Sequence, residues 1–132
     1  MEKDKSQVIP FWVSVIAILG VFLMIVGGLV SKFDPSLLTN GHVVSQVARI
    51  YTDYMFSRST ALALFIVFLL ATKSQRLLAA AMGLLALIQA IDVFDDALRG
   101  DFMLVPGTLV LACLFALAAW RLFGGSLRQR TK

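Results

Sequence analysis

Two polar stripes interrupt an otherwise apolar chain. Tyr51, Tyr54 and Arg58 are spaced i, i+3, i+7, and Gln89, Asp92 and Asp96 repeat that spacing. On an α-helix such spacing puts each trio on one face. A guanidinium fork matches a carboxylate in two hydrogen bonds, so Arg58 and Asp92 are natural partners. Crowded carboxylates hold their protons more tightly, so one left over can serve as a general acid. Arg58 or Tyr54 would stabilise the charge that develops on a substrate. Isomerisation, cyclisation and epoxide opening are reactions of this kind. Asp92, Asp96 and Arg58 are therefore the candidate catalytic residues. Tyr51, Tyr54, Gln89 and again Arg58 are the candidate binding residues.

These residues belong to a chain of 132 residues that is 59% hydrophobic and only 15% charged, with a mean hydropathy of +0.86. A soluble domain carries about 25% charge, and one this small leaves much of its surface in water. The composition excludes soluble enzymes, disordered chains and nucleic-acid modules, despite a net charge of +4. One cysteine, Cys113, forbids an intramolecular disulfide or a CxxC redox pair, and it reads as a small packed hydrophobe. One histidine, His42, excludes bis-His haem and His-rich metal centres, and it reads as a loop residue at the outer interface. Asp92-Val-Phe-Asp95-Asp96 lacks the second acidic cluster that an aspartate-rich metal motif needs. No cofactor or metal is implied.

The elements that must position the stripes are four transmembrane helices in an up-down bundle, one all-α domain spanning 1–132. Residues 10–30 form an uncharged run long enough to cross a core of about 30 Å. It is longer than a signal-peptide core and no clear cleavage site follows, so it reads as helix 1. In the second segment the clean apolar stretch, 61–71, is too short to span. Its helix must reach back through Arg58, Tyr54 and Arg49 toward Asn40 as a cap, giving 43–72 and making it the longest helix or a broken one. Helix 3 covers 77–98 and helix 4 covers 102–123. A helical turn capped at Asp34-Pro35 is expected in the longer 31–42 connection.

The tight turn near residue 75 makes helices 2 and 3 an antiparallel hairpin, with Arg58 and Asp92 at similar depth inside the outer leaflet. An intramembrane arginine costs roughly 2.5–3.5 kcal/mol on insertion scales, so Arg58 is expected to face inward to Asp92. Arg99 reaches Asp95 and Asp96 from i+4 and i+3, and Arg49 reaches Asp53 from i+4. The outermost charges, Arg49, Asp53 and Arg99, read as a solvated rim, and Asp101 adds to the acidic 3–4 connection. Gly20, Gly27, Gly28 and Ser31 on helix 1, and Ala79 and Gly83 on helix 3, have the small-xxx-small spacing of close helix contacts, within a chain or in a homo-oligomer.

Tyr54-Met-Phe-Ser-Arg58-Ser-Thr-Ala-Leu-Ala63 resembles the second-helix signature of small four-helix DoxX-like membrane proteins. Met82-Gly83-Leu to Asp92 is similar to their third helix, and the likeness covers roughly residues 10–123. It implies a four-helix bundle with a polar centre at Arg58 and Asp92, in a family largely without assigned function. The chain departs from the pattern where a glycine would follow the aromatic and where Val105-Pro106-Gly107 stands in place of a helix-4 histidine.

The function expected is an apolar pocket with a polar Arg/Asp/Tyr centre in the outer-leaflet half, binding a small amphipathic or isoprenoid-like molecule and converting it by acid catalysis. The alternative is a structural or accessory subunit whose Arg58–Asp92 pair is a packing clasp. A proton-coupled exporter is disfavoured because helix 1 has no carboxylate. The partners expected are the lipid bilayer and the small ligand, with no nucleic acid. Lys3, Lys5, Lys73, Arg76, Arg121, Arg128, Arg130 and Lys132 place both termini and the 2–3 turn in the cytoplasm of a bacterial-type inner membrane. A cysteine put at Lys73 in a Cys113→Ala background should be labelled by an impermeant maleimide only from the cytoplasmic side. Labelling from outside would reverse the topology.

Overall fold

The computed structural model describes residues 8–34, 45–100, 102, 103 and 105–128. These form four helices and no strand: α1 (Phe11–Phe33), α2 (Gln46–Ala71), α3 (Gln75–Arg99) and α4 (Val105–Arg128). The Pro35 turn, the Asn40 cap, the Val43 start of helix 2, His42 and Asp101 lie outside the described residues.

Each helix is long and apolar enough to cross a membrane, yet only 17–28% of each span is buried. Phe22, Leu64, Phe94 and Leu117 are all exposed. That distribution inverts a soluble fold, and hydrocarbon is the solvent that suits it. Helices are the form such segments take because lipid offers no partner to a backbone N–H or C=O. The chain is a multi-pass membrane protein.

Local chemistry sets the helix ends. α1 runs past Val30 to Phe33, where the Asp34 N–H donates to the Val30 carbonyl at 2.9 Å and Lys32 suits the negative end of the helix dipole, while Ser31 Oγ donates to the Gly28 carbonyl at 2.8 Å. α2 stops at Ala71 because Lys73 turns left-handed, with φ 52°. The Lys73 N–H then donates to the Leu70 carbonyl and the Ser74 N–H to the Leu69 carbonyl, the paired bonds of a Schellman cap. The turn accordingly falls at 72–74, slightly earlier than the sequence suggests. α2 is the longest helix, at 26 residues, and runs without a break through Ser57–Ser59. At about 1.5 Å per residue it exceeds a core of about 30 Å, so it must tilt or project. Gly100, at φ 79°, caps α3.

The residues fall into two compact units, one running to Ala17 and resuming at Leu69, the other spanning Ile18–Phe68. In the first, α3 and α4 pack as an antiparallel pair. Their facing seams are Leu78, Met82 and Leu85 against Ala112, Phe115, Ala119 and Leu122, all buried. Gly83 keeps the helices close, since a Cβ placed there would meet that of Ala119 at 4.0 Å. Gln75 Nε2 donates to the Val8 carbonyl at 2.9 Å, which ties the start of α3 to the segment entering α1.

In the second unit α1 packs on α2 through small residues. A Cβ at Gly28 would lie 3.3 Å from Phe56 Cδ2 and 3.5 Å from Ser59 Cβ, whereas one at Gly27 would meet nothing within 4 Å. Lipid tails are as apolar as leucine, so close packing rather than apolar burial holds such a pair together. Gly28→Leu should therefore destabilise the protein by about 1–3 kcal/mol through overpacking, and Gly27→Leu should be nearly neutral. Thermal unfolding in detergent checks this; equal effects would place the α1–α2 contact elsewhere.

Candidate functional site

The buried seam of α3 does not stop at Leu85. Leu78, Met82, Leu85, Gln89, Asp92 and Asp96 advance by alternating steps of four and three residues, which keeps them on one side of a helix. The first three are buried, Gln89 and Asp92 are half-buried, and Asp96 is buried again. The polar stripe read from the sequence is thus the continuation of the apolar core seam. Asp95, one residue off it by about 100°, is exposed.

Two members of the stripe have contrasting surroundings. Asp96 Oδ1 accepts a hydrogen bond from Arg99 Nη2 at 2.7 Å, an i, i+3 ion pair whose carboxylate end is buried and whose guanidinium is mostly exposed. α3 therefore neutralises its deepest-buried acid with its own last-turn cation. Gln89 differs: its Oε1 is buried and has no hydrogen-bond partner among the described residues. A carbonyl oxygen left so in a low-dielectric surrounding costs roughly 1–3 kcal/mol.

The α2 stripe lies otherwise. Tyr51, Tyr54 and Arg58 are exposed, while the inward face of α2 runs through Thr52, Phe56, Ser59, Ala63 and Ile66. The expected Arg58–Asp92 pair joins residues of the two separate units. Cys113 is exposed on α4 rather than packed in the interior of this chain. Among the described residues no group of His, Cys, Asp and Glu is placed to hold a metal ion.

A second polar place, which the sequence marks only as scattered flank charges, lies where α1 ends and α2 begins. Lys32, Phe33, Arg49, Thr52 and Asp53 line an open pocket of about 320 Å³. Lys32 Nζ sits 4.7 Å from the centroid of the Phe56 ring, within cation–π range. The only sequence signal for it is that the Gly28–Ser31 contact seam ends in a lysine, which carries that lysine toward α2. No protein family, curated protein or solved structure matches this chain.

Proposed function

We propose that this protein binds a small amphipathic molecule along the Gln89–Asp92–Asp96 stripe of α3, through a hydroxyl or amine group that donates to Gln89 Oε1. The buried, unpartnered Gln89 oxygen carries this reading, because a ligand donor would satisfy it where the described residues do not. Apolar walls with a few convergent polar groups are the usual make-up of such sites. An isoprenoid-like tail fits the apolar part. If the molecule is also converted, Asp92 and Asp96 are the candidate acids of the stripe, Asp96 from within its pair with Arg99. The other candidate binding residues, Tyr51, Tyr54 and Arg58, lie on the exposed face of α2. The Gln75–Val8 hydrogen bond supports placing the N-terminal flank and the 2–3 turn on one membrane side, the cytoplasmic one by its lysines and arginines, in a bacterial-type inner membrane.

Native mass spectrometry of the protein purified in mild detergent tests the reading. The wild type should carry a small-molecule adduct, and Gln89→Leu should lose it by at least about tenfold. The same substitution should raise the melting temperature of the empty protein, because it removes an unsatisfied buried polar atom. An adduct retained in full by Gln89→Leu would sink the proposal. The competing reading, an accessory subunit with an Arg58–Asp92 clasp, predicts instead no adduct, and an Arg58→Asp, Asp92→Arg exchange that restores the stability each single change removes.

A further inference from the structure

The pocket between the end of α1 and the start of α2 involves none of the α3 residues and stands without the reading above. We propose that it seats the headgroup of a phospholipid that carries both a phosphate and a primary ammonium, of the phosphoethanolamine type. Its volume of about 320 Å³ lies at the small end of the roughly 300–1,000 Å³ usual for small-molecule sites.

The lining dictates the ligand's charges. Lys32 and Arg49 are cations and Asp53 is an acid, so the complementary molecule has an anionic group and a separate cationic one. Arg49 offers a planar fork suited to two phosphate oxygens, and Lys32 offers a point charge. The ring of Phe56 below Lys32 Nζ holds that ammonium on the α2 side of the unit. Also in the lining, Thr52 Oγ1 donates its proton to the Arg49 carbonyl at 2.7 Å. Its hydroxyl therefore has only lone pairs to offer. With the Asp53 carboxylate, that makes two acceptors for the N–H groups of a primary ammonium. A trimethylated ammonium has no N–H and cannot use them.

Depth points to a lipid as the source of this zwitterion. The uncharged run of α1 ends at Val30, and about 20 residues at 1.5 Å each match a hydrocarbon core of about 30 Å. Lys32 then stands at headgroup level. Below it, Phe22, Val26 and Leu29 of α1 are exposed and offer an apolar surface to acyl chains.

The test is native mass spectrometry of the full chain titrated with phosphatidylethanolamine, phosphatidylcholine or phosphatidylglycerol of identical acyl chains, with soluble O-phosphoethanolamine as competitor. Wild type should bind phosphatidylethanolamine about tenfold tighter than either other lipid. Asp53→Asn and, separately, Thr52→Val should erase the preference over phosphatidylcholine. Arg49→Gln should weaken all three lipids alike. Asp53 and Arg49 are exposed and Thr52 is half-buried, where valine has nearly the same shape as threonine, so all three variants should keep wild-type helicity. Equal binding of the ethanolamine and choline lipids by wild type, or a preference unchanged in Asp53→Asn and Thr52→Val, would overturn the proposal. So would binding of O-phosphoethanolamine with no preference among the intact lipids, which would assign the pocket to a soluble zwitterion.

Discussion

A carboxylate or amide in a membrane-crossing helix has no water to turn to, and this sets the arrangement of α3. Exposing such groups to hydrocarbon costs several kcal/mol each. α3 avoids that by placing Gln89, Asp92 and Asp96 on the face that Leu78, Met82 and Leu85 already bury. The apolar half of the seam packs against α4, and the polar half inherits its direction. Arg99, one turn beyond Asp96, completes the solution by bringing a counter-charge from the helix end, where a long side chain reaches polar surroundings while its tip holds the buried acid.

That solution depends on helices lying close together, and small residues make it so. Gly83 with Ala119, and Gly28 with Phe56 and Ser59, bring backbones near enough for dispersion contacts along the seam. The same closeness on α1 has a second consequence. Because Gly28 and Ser31 turn toward α2, Lys32 is carried over the Phe56 ring, and the end of α1 becomes one wall of a charged pocket. A packing seam thereby ends in a place with chemistry of its own.

The four helices were legible in the sequence because uncharged runs separated by charged turns have a single physical solution in lipid. The α3 stripe was legible for a related reason: among apolar neighbours, three polar residues at i, i+3, i+7 define a face that must turn away from hydrocarbon. The α2 stripe has equal periodicity, but periodicity says only that Tyr51, Tyr54 and Arg58 share a face. Their direction depends on which apolar residues pack, and Ala63 and Ile66, which are buried, differ little in hydropathy from Leu64 and Phe65, which are exposed. Helix ends were less legible, because Lys73 adopts a left-handed conformation more usual for glycine. The pocket of Lys32, Arg49 and Asp53 was barely legible, since it joins the end of α1 to the start of α2 from charges that singly look like flanks.

The central claim is that the polar residues of α3 continue its buried seam rather than facing lipid. Spin labels placed singly from residue 85 to residue 98 of the reconstituted protein, with collision rates measured against oxygen dissolved in the bilayer, test it directly. Oxygen accessibility should peak at Leu87, Ile91, Phe94 and Leu98 and fall at Leu85, Gln89, Asp92 and Asp96, with a period near 3.6 residues. Labels at Gln89 and Asp92 as accessible to oxygen as the label at Ile91 would contradict the account.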